Sequence, residues 1–204
     1  MDWQIDGVRK SILQDSHRYK CIVSGRRWGK TIFSLIWLLH PDFKPNERRW
    51  IVFPSYRQAK MVCWSILKQF FRNHNAKVNE TELSITLENG ACVELKGADS
   101  SADKIRGVSL DRVVLDEYAY MKESIWGEVI QPMTVEKKAE ALFVGTPCGL
   151  QNHFYDMYVK GQSMNGDIKS WQFTTIDGGF VPPEEIERAK ENLDARTFRQ
   201  EYEA

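Results

Sequence analysis

The stretch YKCIVSGRRWGKTIFSLIWLLH, residues 19–40, constrains the fold more than any other part of the chain. It opens with an apolar run suited to a buried strand and passes through a loop with glycines at 25 and 29. It closes on an apolar helix that starts at Lys30. A strand that feeds its loop into a helix is half of a βαβ unit, and a helix apolar all round packs inside a sheet protein. The loop carries a chemical signal as well. A helix N-terminus presents unpaired N–H groups and a partial positive charge, which favour phosphate. Gly25 and Gly29 let the backbone approach an anion, Lys30 can reach terminal phosphates, and the Thr31 hydroxyl can ligate Mg2+. The usual spacing G-x-x-x-x-G-K-[ST] puts glycine at position 24, where this chain has Ser24, and Arg26, Arg27 and Trp28 fill the loop. Taken alone, the segment also fits an ordinary strand–turn–helix.

A second segment changes the balance. In RVVLDEYAYM, Val113, Val114 and Leu115 form a buried strand with Asp116 and Glu117 at its C-terminal end. Open α/β sheets bind ligands at that edge. Asp116 suits an outer-sphere Mg2+ position, and Glu117 suits the base that orients or deprotonates a hydrolytic water. Each motif falls in the context its chemistry needs, so together they point to an ATP-hydrolysing P-loop domain. The carboxylate beside the magnesium aspartate favours an ATPase over a small-molecule kinase. In LFVGTPCG a third strand ends at Gly145-Thr146, where Thr146 can touch the γ-phosphate or the attacking water, though read alone the segment equally fits a plain turn after a strand. Arg106-Gly107, shortly before the Asp116 strand, suggests an arginine carried on a loop.

The rest of the chain fits the same class. RWIVFP (49–54) reads as a strand, and Ser55 caps a long helix over 55–74 whose Met61, Trp64, Leu67 and Phe71 recur at helical spacing. Alternation in Leu83, Ile85 and Leu87, then Asn89-Gly90, then Val93 and Leu95, marks a β-hairpin. Continuous apolar strands alternating with helices predict a mainly parallel, two-sided sheet. After Gly149 the sequence predicts a helix ending at Gly161, a strand at SWQFTT, and a helix opened by PPEE.

Composition sets bounds on partners. Lys+Arg and Asp+Glu both number 28, so a strongly basic overall field is excluded, while a local basic stripe is not. The 4 cysteines lack any C-x-x-C pair, against a zinc knuckle or a disulfide framework. No apolar run approaches the ~20 residues of a membrane span.

The stretches SGRRWGKT, PSYRQAK, GADSSADKIRG, VVLDE and VGTPCG, with FRQEYEA at the end, occur in an order that resembles the large terminase subunit of tailed bacteriophages. The resemblance covers most of residues 20–150. It implies a RecA-like P-loop ATPase core over residues 1–150, with a central mainly parallel sheet and an inserted hairpin. Residues 151–204, with part of the N-terminus, are then a small lid subdomain. It also implies the function of a motor that hydrolyses ATP with Mg2+ to drive double-stranded DNA into a procapsid. The loop would use Ser24, Gly25, Arg26, Arg27, Trp28, Gly29, Lys30 and Thr31, with Arg26 as the phosphate-sensing arginine of its own subunit. Thr31 and Asp116 would hold the metal, Glu117 would be the catalytic base, and Thr146 would couple hydrolysis to movement. Arg106 matches an arginine finger acting between subunits. The implied partners are further copies in a ring, expected to be a pentamer, a portal protein and a small terminase subunit, in the host cell cytoplasm and away from membrane. The family's nuclease domain is expected to begin after residue 204, so no nuclease activity is expected here. An adenine-reading glutamine stays unassigned, since Gln4 and Gln14 both miss the expected offset. The readings that compete are a helicase-like ATPase on single strands and a nucleotide-gated scaffold without turnover.

Overall fold

The computed structural model describes residues 5–100, 107–163 and 166–204. Its frame is one eight-stranded sheet, and the strands in chain order are β1 (Tyr19–Ser24), β2 (Arg48–Phe53), β3 (Ala76–Asn79), β4 (Ser84–Leu87), β5 (Cys92–Gly97), β6 (Arg112–Asp116), β7 (Glu140–Gly145) and β8 (Ile168–Phe173). They lie side by side in the order β3-β4-β5-β2-β6-β7-β1-β8. From β5 to β8 every neighbouring pair is parallel, and only β3–β4 and β4–β5 are antiparallel. The register pairs Val23 with Gly145 and Asp116 with Val144, so β1, β7 and β6 end together at one edge. β7 separates the two strands that carry the motifs.

Both faces of the sheet are covered, which is why its strands read as unbroken apolar runs. On one face Ile22, Ile51, Phe53, Val114, Leu142 and Val144 pack under helix α2 (Lys30–Leu39) and the helical stretch that follows β2. The alternate residues Cys21, Val23, Trp50, Val52, Val113, Leu115 and Phe143 form the core of the other face with Trp126, Ile130 and Phe154. The period of two along each strand thus sorts side chains into two cores.

The helix expected over 55–74 is continuous but not uniform. It comprises α3 (Tyr56–Ala59), a π-helical turn (Lys60–Trp64), α4 (Ser65–Phe70) and a 3-10 turn (Phe71–Asn73). Ser55 caps it, accepting a hydrogen bond from the Gln58 N–H at 3.2 Å. Trp64, Leu67 and Phe71 are buried as the spacing predicts, but Met61 is 72% exposed. The π turn shifts the period there, and Cys63 takes the inward position.

The predicted hairpin is β4–β5, with β3 added at its edge. The residues of β3 are mostly exposed, so no burial pattern marked them. The region 151–204 is less separate than the expected lid. α6 (His153–Lys160) leads to β8, which pairs with β1 along its whole length. β8 therefore belongs to the central sheet. Beyond it lie α7 (Thr175–Gly178), α8 (Pro183–Asn192), α9 (Ala195–Phe198) and a terminal π turn (Arg199–Glu203). Near the N-terminus α1 (Gly7–Gln14) is capped by Asp6. The short helix α5 (Gln131–Val135) precedes β7.

Candidate active site

The loop between β1 and α2 and the ends of β6 and β7 enclose one cleft of about 520 Å³. Arg26, Arg27, Gly29, Lys30, Thr31, Glu117 and Thr146 line it. Five of these come from the loop–helix junction, and the other two, Glu117 and Thr146, follow strands that the parallel register brings to the same edge.

The Lys30 side chain is only 7% exposed and turns back onto its own loop. Its Nζ donates to the carbonyls of Ser24 at 3.1 Å and Gly25 at 3.0 Å. Burial lowers the pKa of the amine, while the Glu117 and Asp116 charges oppose that shift. The lysine and both carboxylates therefore share one electrostatic environment, as two motifs 86 positions apart in the chain had to do.

Asp116 lies beneath the cleft, fully buried. Its Oδ1 accepts from the Glu117 N–H at 2.9 Å, while its Oδ2 has no hydrogen-bond partner among the described residues. Burial and then the Glu117 charge push its pKa up to about 7, against the Thr31 hydroxyl and the Lys30 ammonium. A buried carboxylate oxygen without a partner is costly unless something positive meets it. The Thr31 hydroxyl beside it completes a small oxygen-donor set of the kind that suits Mg2+. The residues present thus fit a hard divalent cation held with the help of phosphate oxygens. Among the described residues no group of three or more His, Cys, Asp or Glu could hold a metal alone.

Glu117 occupies the left-handed backbone region, at φ 56° and ψ 42°. A non-glycine residue there costs about 1 kcal/mol or more and needs support from its surroundings. The effect is to turn the chain sharply at the strand tip, with Asp116 inward and Glu117 into the cleft.

Not every residue expected at the site faces the cleft. Trp28 is 1% exposed, stacks on Phe173 at 4.8 Å and meets Phe33 edge-on. Its side chain anchors the loop in the core and is not a wall of the cleft. Ser24 is fully buried, with its Oγ unpaired, and contributes its carbonyl to Lys30. The loop lies against β8 and the short helix after it, where Gly178 backs onto Trp28, so the inward Trp28 side chain meets protein. Gly25 shows how closely. A Cβ there would come within 2.6 Å of both Thr175 Oγ1 and the Tyr202 carbonyl.

Arg26 is gripped from the same side. Its N–H donates to the Glu201 carbonyl at 2.7 Å, and its guanidinium pairs with the Glu201 carboxylate. That hydrogen bond is the main cause of its raised pKa. Arg27 adopts φ 62° and lines both the cleft and a second cavity. Arg106 lies outside the described residues, as does Gln4.

The second cavity, about 890 Å³, adjoins the first through Arg27, Gly29 and Ile32. Its other walls are mainly apolar: Phe33, Ile36, Phe180, Val181 and Pro182, with Arg9, Glu185 and Tyr202. The Arg9 guanidinium sits 4.3 Å from the Trp28 ring centre and donates to the Trp28 carbonyl at 2.5 Å. Gln14 ends α1 and is absent from these walls. Sequence reasoning missed Gln58 and Tyr120, which also line the smaller cleft, and Phe180, which walls the larger. Gln58 was legible in principle, since the first turn of a helix after a strand tip faces the ligand edge. Phe180 has no such signal.

The family model for the terminase large subunit, T4likevirus-type, N-terminal, matches residues 21–204. The terminase large subunit of Escherichia phage T5 is 27% identical over 198 residues, covering 92% of this chain and 44% of the relative. That of Thermus phage G20c is 26% identical over 174 residues, covering 76% of this chain and 36% of the relative. The chain thus spans less than half the length of these curated relatives. Among solved structures, the large terminase ATPase domain of Thermus phage P74-26 superposes with a TM-score of 0.84 at 23% identity, covering 98% of this chain and 93% of that one. The large terminase of the thermophilic bacteriophage D6E in complex with ADP gives 0.77 at 17% identity, covering 97% of this chain and 52% of that one.

Proposed function

The chain belongs to the terminase large-subunit family, and from that premise we propose that it is the ATP-hydrolysing motor domain of a DNA-packaging terminase. The observation that carries the reading is the convergence of Lys30, Thr31, Glu117 and Thr146 on one cleft, with Asp116 beneath it and its Oδ2 unpartnered among the described residues. The ADP complex recorded for the D6E protein agrees with a nucleotide in a fold of this shape.

The triphosphate lies across the N-terminus of α2, where the loop and helix N–H groups and the Lys30 amine bind its oxygens. Thr31 and Asp116 would hold Mg2+, which would supply positive charge to the triphosphate. Glu117 orients a water in line with the γ-phosphorus and accepts its proton as the new P–O bond forms and the bond to the β-phosphate oxygen breaks. Lys30 and Arg26 balance the charge that develops. Thr146, at the tip of the intervening strand, senses whether the γ-phosphate is present. The base occupies the adjoining apolar cavity, against Phe180 and Ile36. DNA translocation, a ring of subunits, and the portal and small-subunit partners belong to this proposal as properties of the family, as does the host cytoplasm.

Glu117→Gln is the decisive variant. It leaves ATP binding within about twofold and lowers turnover by about 100-fold or more, within the range set by general-base catalysis. Unchanged turnover overturns the assignment. For Arg106, a mixing experiment applies. Arg106→Ala subunits suppress turnover of assembled wild-type rings out of proportion to their fraction, while binding ATP normally. Loss of ATP affinity in the variant alone places the arginine in its own subunit's site instead.

A further inference from the structure

Glu117 holds a backbone conformation that a glutamate rarely adopts, and most of what fixes it is local. Its N–H donates to Asp116 Oδ1, and its carbonyl accepts from the Tyr120 N–H at 3.0 Å. These bonds lie within the turn itself. Among the described residues, one polar side chain hydrogen-bonds this turn from another element. His153, the first residue of α6, brings its Nε2 to 3.0 Å from the Tyr118 carbonyl oxygen. That oxygen also accepts the Met121 N–H at 3.1 Å, so both of its lone pairs are used. A carbonyl only accepts, so Nε2 carries the proton. The ring also stands edge-on to Tyr118, with centroids 4.7 Å apart at 88°.

We propose that His153 is a positioning residue for hydrolysis, holding the Tyr118–Ala119 peptide at the end of the Glu117 turn so that the carboxylate points into the cleft. The inference rests on the reading of Glu117 as the water-orienting base. Asn152 fixes where the histidine stands. Its Oδ1 caps α6, and its Nδ2 donates to the carbonyls of Cys148 and Gly149 at 2.8 and 2.9 Å. The loop that starts at Thr146 is thereby tied to the same helix end. Gly145 lies close to this turn, since a Cβ there would stand 3.4 Å from the Tyr118 nitrogen and 3.2 Å from the Phe154 ring of α6. A change at Thr146 can therefore reach Glu117 through Asn152 and His153 without passing through the nucleotide.

The test uses three substitutions. His153→Phe keeps the ring against Tyr118 and removes the donor. His153→Met removes both ring and donor, and His153→Gln is as long as Met but restores an N–H donor. Turnover with Mg2+ and ATP, KM, equilibrium binding of a fluorescent ATP analogue and Tm are measured for each. His153→Phe and His153→Met lower kcat by about fivefold or more, the worth of one hydrogen bond, with KM and analogue affinity within about twofold. His153→Gln returns most of the lost kcat. A merely structural histidine gives a different pattern, with Tm and analogue affinity falling together and no advantage of Gln over Met. That pattern, or wild-type kcat in His153→Met, overturns the proposal. A silent wild-type chain, or undiminished turnover in Glu117→Gln, overturns the hydrolase reading beneath it instead.

Discussion

At the scale of single residues, the cleft is set by close approach. Gly25 bears no unusual dihedral, yet it has no room for a side chain because Thr175 and Tyr202 press on it. Overpacking of this kind costs about 1–3 kcal/mol when neighbours must shift. Gly25→Ala is therefore expected to lose about that much stability in urea unfolding, and to weaken nucleotide binding by displacing the loop. Glycine at 25 is demanded twice over, by the ligand on one side and by the C-terminal strap on the other. The two demands separate in the experiment. Stability is read without nucleotide, and affinity by titration at low temperature.

At the scale of elements, the contacts that seat α1 against the sheet depend on pH. Asp15, the C-cap of α1, accepts from Lys169 of β8 at 2.8 Å and from the His17 N–H at 2.9 Å. Burial raises its pKa, but the hydrogen bonds to Lys169 and His17 outweigh burial and lower it from 3.8 to about 2. A carboxyl with a depressed folded-state pKa contributes stability above its unfolded value, and loses it as pH falls through the folded one. Asp15→Asn is thus expected to lower Tm at pH 7, with the deficit fading as pH drops from about 4 toward about 2. A deficit that holds constant across that window would assign the effect to packing instead of charge. The Lys169 side chain is nearly half exposed, so added salt weakens the same contribution.

At the scale of the whole molecule, ligand binding and folding are one equilibrium. A nucleotide that binds only the native state at 100 times its Kd adds about 2.7 kcal/mol. MgATP is expected to raise Tm, and removal of Mg2+ by EDTA to remove much of that rise. In Asp116→Asn the increment due to Mg2+ disappears, while the metal-free protein keeps its fold, because the substitution relieves a buried carboxylate whose Oδ2 has no partner. Equal Mg2+ increments in wild type and variant would remove Asp116 from the metal site. The strap from Thr175 to Glu203 should also respond as a unit, since the loop that receives the nucleotide is the surface on which it lies.

Much of this molecule was determined locally. The strand, loop and helix of residues 19–40 need only their own apolar pattern and two glycines. Asp116-Glu117 need only a buried strand before them. Local sequence also placed the hairpin turn, the Ser55 cap and, shifted by two residues, the strand expected at 170–175 and found at 168–173, because hydrophobic period and turn chemistry act over a few residues. Tertiary structure decided everything that depends on neighbours distant in sequence. Only the strand order sets β7 between the two motif strands and β8 in the main sheet beside β1. Only packing turned Trp28 and Ser24 inward, brought Glu201 onto Arg26, and carried His153 to the carbonyl after Glu117. The physical reason is that a local pattern states which face of an element is buried, whereas which atoms it is buried against is fixed only when the sheet closes.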